Sequence, residues 1–467
     1  MTSSRPHLHA IVIGAGLAGS EAAWQLAMRG VPVVLCEMRP LTMTKAHKTG
    51  LFAELVCSNS FRGASLNNAV GVLKEELKIL NSLIMNSALA SCVPAGGALA
   101  VDREMFSGIV DRALREHPLV SIENRELQSI PEHSEANPVI VATGPLTTLT
   151  LAREIEKLAG ANTLSFYDAI SPIILFESID TSKTFFQSRY DKGDGADYIN
   201  IPLDKEQYQT FVSEIASAQK HEAHAEVESE QLEEDIRPFE GCMPLEDMVI
   251  RGPDTLRFGP LKPKGLTDPL TGRQPYAVVQ LRQDNREKTL WSIVGAQTRL
   301  TQPEQKRIFR LLPGLENAEF VRLGSVHRNT FIDSPKCLRP TLELNNHPGL
   351  FMAGQLTGVE GYVESTACGL AAGINAANKV NGKPPLVFPR ETALGSLLAY
   401  ISDSGRKHFQ PMNISFGLMP GYGEEESVPA KTANRKESKK EKRLRTAELA
   451  LDSMKSFAAD MLGTDDV

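Results

Sequence analysis

Residues 11–21, Ile11-Val12-Ile13-Gly14-Ala15-Gly16-Leu17-Ala18-Gly19-Ser20-Glu21, decide the fold of this chain. The three leading apolar residues predict a short buried strand, and the Gly-x-Gly-x-x-Gly turn behind them opens a helix. Each glycine has its own task. Gly14 permits the tight turn, Gly16 lets the backbone approach a pyrophosphate, and Gly19 lets the helix pack closely on the strand. A second apolar run, Val31 to Cys36, ends on Glu37, where a carboxylate bonds a ribose hydroxyl. Glycine triplets also occur in ordinary turns, but strand, helix and acid in this order predict a dinucleotide-binding βαβ unit. Its cradle is expected at Gly14, Ala15, Gly16, Leu17, Ala18, Gly19 and Glu37, with the pyrophosphate on the open N–H groups of the helix N-terminus.

At 467 residues the chain is long enough for two or three domains. Its formal net charge of −7 argues against nucleic acid binding over the whole surface and leaves room for a local basic patch. No stretch approaches the roughly 18 apolar residues of a membrane span. The polar segment Met1 to Ala10 has no apolar core, so no secretory signal is expected. The six cysteines are scattered without a Cys-x-x-Cys pair, which disfavours zinc and disulfides and fits a reducing cytoplasm.

Beyond the first unit, a polar, helix-prone region opens at Lys45-Ala46-His47-Lys48-Thr49. It contains Phe52 to Ser60 and then a loop, Arg62-Gly63-Ala64-Ser65. Val139-Ile140-Val141-Ala142 predicts a further strand, closing in Thr143-Gly144-Pro145, where the chain returns beside the nucleotide. From about 165 to 320, short β-type runs such as 172–176 and 277–281 alternate with Gly/Pro punctuation and predict an inserted α+β domain. The first domain resumes at Gly349 to Gln355. A Gly-rich turn through Tyr362 and a small-residue helix, Glu364 to Ala377, then predict a second anion-binding helix terminus. A segment rich in basic residues, Lys431 to Arg445, leads into an amphipathic helix with Leu444, Ala447, Leu451, Met454, Ala458 and Met461 on one face.

Four blocks resemble the bacterial folate- and FAD-dependent tRNA (uracil-5-)-methyltransferases. They are Val12 to Ala23, Leu55-Val56-Cys57-Ser58-Asn59-Ser60, Phe239-Glu240-Gly241-Cys242-Met243-Pro244-Leu245-Glu246, and Gly354 to Tyr362. The sister group of FAD-dependent wobble-uridine modifying proteins shares the fold and is not expected to carry Gly241-Cys242-Met243-Pro244. The resemblance implies an α/β chain: a Rossmann-type FAD-binding domain in two parts (1–164 and 321–395), an inserted α+β domain for RNA and folate (165–320), and a C-terminal region with a basic amphipathic helix (396–467). It implies methyl transfer to uracil C5 in the T-loop of tRNA, with methylenetetrahydrofolate as donor, FAD as flavin and NAD(P)H as reductant. No metal and no membrane partner are expected. Gly144, Gly354, Gln355, Gly358, Gly361 and Tyr362 join the cradle residues as expected FAD contacts.

The need for a thiol follows from the chemistry. Uracil C5 is a poor nucleophile until a group adds at C6 and pushes charge into an enolate, and a thiolate both adds and departs readily near neutral pH. By correspondence Cys242 is the expected nucleophile or flavin-proximal thiol, and Cys57 the second functional cysteine. The sequence leaves open which of them attacks. Cys36, Cys92, Cys337 and Cys368 are expected to be structural. Weaker polar candidates are His47, Glu240, Glu246, Glu364, Arg282 and Arg299, the last two in β-type context. The rival readings are the same chemistry on ribosomal RNA and a flavin oxidoreductase for a small molecule.

Overall fold

The computed structural model describes residues 9–44, 46–160, 163–220, 243–406, 409–420, 422 and 438–462. Strand β1 (Ala10–Ile13), helix α1 (Leu17–Ala27) and strand β2 (Val33–Glu37) form the βαβ unit that the glycine turn predicts. β1 lies at the centre of a five-stranded parallel sheet in the order Leu350–Met352, Val139–Val141, β1, β2, Val120–Asn124. Four of these strands are short and almost wholly apolar, as buried parallel strands are, whereas the edge strand Val120–Asn124 alternates, with Ser121 and Glu123 exposed. Val12, Leu35, Ile140 and Phe351 are fully buried. The chain thus leaves this sheet after Val141 and re-enters it at Leu350.

Between those points lies a six-stranded antiparallel sheet. Its order is Phe185–Phe186, Tyr198–Leu203, Ala277–Gln283, Leu290–Ile293, Ile173–Leu175, Phe320–Arg322. It has its own core, built from Ile199, Ile201, Val279, Leu281 and Trp291 with Phe211 and Phe309 from the helices Lys205–Ser217 and Gln302–Phe309. A two-stranded ribbon, Thr163–Ala169 against Val326–Ile332, carries the chain out and back.

Helix α1 packs along the long helix Tyr362–Val380, which extends past both ends of the predicted Glu364 to Ala377. Small residues make this approach possible. A Cβ at Gly369 would sit 2.1 Å from the Ala18 carbonyl oxygen, and one at Gly373 2.7 Å from that of Ala22. The C-terminal helix Lys439–Leu462 buries Ala447, Met454 and Ala458 as its periodicity predicts, and also Ala450; it lies against the helix Ala69–Ile79 and joins the core of the parallel sheet. Two local expectations are corrected. Arg62 and Gly63 belong to the strand Ser60–Gly63, paired with Ala98–Val101, rather than to a loop. Arg299 lies in a loop after the strand Leu290–Ile293. Among the described residues, no helix is long and apolar enough to cross a membrane.

Replacing Gly369 with valine forces Ala18 and α1 away from the long helix. The expected loss is about 2 kcal/mol or more of unfolding free energy, the scale of core overpacking, measured by urea denaturation of the parent and the variant.

Candidate active site in two joined cavities

The glycine turn opens onto a cavity of about 1090 Å³. Gly14, at φ +95°, has no room for a side chain, since a Cβ would lie 2.7 Å from the Ala142 carbonyl oxygen. A Cβ on Gly19 would fall 1.7 Å from the Gly14 oxygen. Gly16 differs: a Cβ there would meet nothing within 4 Å. Two of the three glycines therefore serve the fold, and the third keeps the cavity floor clear. Gly16 is also the N-cap of α1 and offers no side chain to the first N–H groups, so the donors of Leu17 and Ala18 face the cavity. Gly144, Gly354, Gln355 and Tyr362 complete this part of the wall.

Glu37 stands at the end of β2, on the same wall. Its Oε2 accepts the Ala15 N–H at 2.8 Å, and its Oε1 accepts the Arg39 backbone N–H at 3.0 Å and Nε at 2.9 Å. Burial works against the charge, but the bonds from Arg39 and Ala15 outweigh it and hold this carboxyl below the ordinary range. Ala15 serves the cavity through that bond and does not line it. Gly19 and Gly358 line neither cavity; a Cβ on Gly358 would strike the Phe409 ring at 2.4 Å, so that glycine serves packing.

A second cavity of about 1410 Å³ adjoins the first and shares Val56, Pro145, Leu146, Gln355, Tyr362 and Ser365 with it. Half-buried Cys57 lies on its wall with Gly361, Arg62, Arg103 and Arg282. The segment Leu55 to Asn59 has no regular structure of its own and is held by side chains from distant parts of the chain. Arg103 reaches the carbonyls of Leu55 and Cys57 while its Nε and Nη2 bridge Asp284 at 2.9 and 3.2 Å. Arg322 donates to the Val56 carbonyl at 2.7 Å. The Tyr362 hydroxyl oxygen accepts the N–H groups of Cys57 and Ser58 at 2.9 and 3.2 Å. Asn59 donates to the carbonyls of Val101 and Gln283. Arg62 pairs with the fully buried Glu364, at the start of the long helix.

Cys242 and Glu240 lie outside the described residues, as do Lys431, Arg435 and Lys436 of the basic segment. The chain after them is well anchored: Leu245 donates its N–H to the Gln297 carbonyl at 2.8 Å, and Gln297 lines the second cavity. Glu246 is buried, takes bonds from Thr298 and the Arg299 N–H, and so ties a loop rather than facing either cavity. Arg299 is paired to Asp247. His47 lines the first cavity with Nδ1 2.6 Å from the Thr44 hydroxyl. Burial pushes the thiols of Cys337 and Cys368 up to about 12, as suits structural cysteines. Cys36 is buried as well, whereas Cys92 is exposed, so core packing does not explain it. Arg103, Arg322 and Asp284 were not expected from the sequence. They stand alone in unrelated segments, and no spacing connects them to the cysteine block.

Removing the Tyr362 hydroxyl should free the Cys57 and Ser58 amides. In Tyr362→Phe their hydrogen exchange is expected to speed up about tenfold or more, the scale of one to three kcal/mol per orphaned buried donor, read by peptide-resolved mass spectrometry.

Among the described residues, no group of three or more His, Cys, Asp or Glu could hold a metal ion. The family model described as "Glucose inhibited division protein A" matches residues 9–384. Solved structures of Aquifex aeolicus GidA in crystal forms II and I superpose with TM-scores of 0.69 and 0.66 at 16% identity; they cover 97% and 96% of this chain and 73% and 76% of theirs. They share the fold. Relatives named "Methylenetetrahydrofolate--tRNA-(uracil-5-)-methyltransferase TrmFO" are far more similar. That of Heliobacterium modesticaldum is 54% identical over 451 residues, 97% of this chain and 98% of its own. That of Listeria innocua is 54% identical over 450 residues, 96% of this chain and 99% of its own. That of Geobacter sulfurreducens is 52% identical over 448 residues, 96% of this chain and 98% of its own. With a cavity floored by the glycine turn on one side, a clamped cysteine on the other and this identity along nearly its whole length, the chain belongs to the glucose inhibited division protein A family and, within it, to the methylenetetrahydrofolate–tRNA-(uracil-5-)-methyltransferases.

Proposed function

We propose that this protein methylates uracil C5 in the T-loop of tRNA, giving 5-methyluridine, with methylenetetrahydrofolate as carbon donor and FAD with NAD(P)H as reductant. One observation carries the reading: the cavity floored by the glycine turn runs into the cavity that holds Cys57, with Gln355 and Tyr362 on the shared wall. FAD suits the first cavity on the chemistry of its wall. Gly14, Gly16, Leu17 and Ala18 would take the pyrophosphate, Glu37 a ribose hydroxyl, and Gly144, Gly354, Gln355 and Tyr362, with Gly361 from the adjoining cavity, the flavin end. Ala15, Gly19 and Gly358 support that cradle from behind. FAD bound there supplies the one-carbon and hydride chemistry that no side chain can.

The protein's own part is to activate the pyrimidine. A thiolate from Cys57 or Cys242 adds at uracil C6, opening the C5=C6 double bond and placing negative charge on C5 and O4. Once the carbon–carbon bond at C5 has formed, a base removes the C5 proton and the thiolate departs, restoring the double bond. The target base sits within a folded RNA loop, so it has to leave its stack to enter the second cavity. Arg62, Arg103 and Arg282 on that wall suit an electron-rich guest.

Purification followed by an absorbance spectrum and a methylation assay tests the reading. The expected protein is yellow and converts uridine in tRNA to 5-methyluridine only with methylenetetrahydrofolate, and Cys57→Ala or Cys242→Ala lowers turnover about a thousandfold or more. Methylation of ribosomal RNA in place of tRNA moves the assignment to that substrate. NAD(P)H oxidation that needs neither folate nor RNA and survives Cys242→Ala overturns it. Gly16→Ala supplies a separate check: the variant is expected to lose flavin absorbance and to melt like the flavin-stripped parent, since its Cβ meets no protein atom within 4 Å.

A further inference from the structure

We propose that residues 255–267 dock the tRNA strand beside the target base, with Phe258 stacking on an unpaired base and Lys262 and Lys264 holding phosphates. This deepens the reading of tRNA as substrate and rests on it. The segment, Thr255-Leu256-Arg257-Phe258-Gly259-Pro260-Leu261-Lys262-Pro263-Lys264-Gly265-Leu266-Thr267, carries three cations and no acid, in a chain of formal net charge −7. Leu261, Pro263 and Leu266 are buried, whereas Lys262 and Lys264 are exposed. Leu256 and Leu261 belong to the core of the antiparallel sheet, and Leu266 packs with Phe185 and Val278. The buried side chains thus fix the segment and turn both lysines to the solvent. Among the described residues, neither lysine has an acid within ion-pair distance.

The backbone is pinned as well. Val278 donates its N–H to the Leu261 carbonyl at 3.0 Å, Tyr190 donates to that of Gly265 at 3.2 Å, and the Arg189 guanidinium reaches that of Lys262. The loop 188–195 brings Arg189 and Lys192 against Asp191 and Asp194, so it leaves the charge of the segment uncancelled. Just outside the segment, exposed Arg273 balances exposed Asp254, while Asp268 is buried and bonded to the Leu270 N–H and the Thr271 hydroxyl.

Phe258 is 74% exposed at the end of the short helix Thr255–Phe258. The Arg257 guanidinium lies 5.4 Å from its ring centroid and 4.1 Å from that of Tyr276, and its Nε donates to the Tyr276 carbonyl at 3.0 Å. A held cation therefore backs the Phe258 ring and leaves the rest of it open. Unpaired bases stack on open aromatic rings, and cations beside them take the backbone. Lysine is depleted at the centres of protein–protein interfaces, so lysines next to an open ring favour a polyanion over another protein.

The place of the segment fits the same guest. A Cβ on Gly295, at φ +70°, would lie 2.5 Å from the Pro260 Cβ; both residues are half-buried, and Gly295 lines the second cavity. Pro260 thus stands at the rim, with Phe258 two residues to one side and Lys262 two to the other. A base that leaves its stack for the cavity keeps its phosphate and its neighbours outside. Those neighbours meet this segment.

The test is binding of an end-labelled, unmodified tRNA transcript to the holoprotein, read by fluorescence anisotropy across a salt series. Lys262→Ala with Lys264→Ala is expected to raise Kd about tenfold or more and to flatten the slope of log K against log salt by about 1 to 2. Phe258→Ala should raise Kd about tenfold at an unchanged slope, and Phe258→Trp should bind like the parent. Lys439→Ala with Lys440→Ala removes the same charge from exposed positions of the C-terminal helix and should move neither quantity. Unmoved Kd in either of the first two variants, an unmoved slope in the Lys262 and Lys264 pair, or an equal loss in the C-terminal pair overturns the inference. Self-association that Phe258→Ala abolishes with tRNA affinity kept gives the surface to a second copy of the chain and overturns it too. The expected losses in a protein that methylates nothing would sink the proposed reaction alone. Methylation of tRNA by a protein whose variants all bind like the parent would sink this inference alone.

Discussion

The contact between α1 and the helix Tyr362–Val380 governs the rest of the molecule. The backbone at Gly369 approaches the Ala18 carbonyl more closely than any side chain allows. That approach sets two helix N-termini, capped by Gly16 and Gly361, beside the cavities. One opens on the cavity floored by the glycine turn, and the other starts with Tyr362 and Glu364, which fix the Cys57 segment and Arg62. Widening the helix pair would therefore disturb both cavities together, although Ala18 and Gly369 stand 351 positions apart in the chain.

Buried carboxylates recur as fasteners in the same core. Glu21 accepts the Ser82 hydroxyl and the Ile84 N–H, at the start of the helix Leu83–Ala90. Glu76 accepts the N–H groups of Ala393 and Leu394, at the start of Ala393–Ile401. Each places an acceptor on donors that the helix itself leaves unpaired, where the helix dipole favours negative charge. Burial still pushes the Glu76 carboxyl up to about 8, so these groups organise the core at some energetic expense. The function of Glu37 differs, because its partners leave it on a cavity wall.

The fold was legible wherever its determinants are local. Gly14, Gly16 and Gly19 carry their meaning in their spacing, and the apolar runs at Ala10–Ile13, Val33–Glu37, Val139–Val141 and Leu350–Met352 are short enough to read as buried parallel strands. The resumption of the first sheet near residue 349 was legible for the same reason. The arginines were not. Arg103 begins an ordinary amphipathic helix and Arg322 ends a three-residue strand, and nothing nearby marks either one as a clamp on Leu55 to Cys57. The stretch Arg62-Gly63-Ala64-Ser65 reads as a loop in the sequence, yet pairing with Ala98–Val101 makes Arg62 and Gly63 part of a strand. Tertiary pairing overrode the local signal.

The wide sequence range of the groups that hold Leu55 to Asn59 bears on how this protein matures. Arg103 arrives early in synthesis, but Asp284 and Arg322 emerge with the later strands of the antiparallel sheet, and Tyr362 follows all of them. A nascent chain therefore lacks part of the clamp on the Cys57 segment, the Tyr362 hydroxyl, until the long helix has been made. Closing contacts over such spans comes late, once the entropy of the intervening chain has been overcome by the two cores. The sulfur acquires its finished surroundings among the last events of folding, and partly made chains lack them.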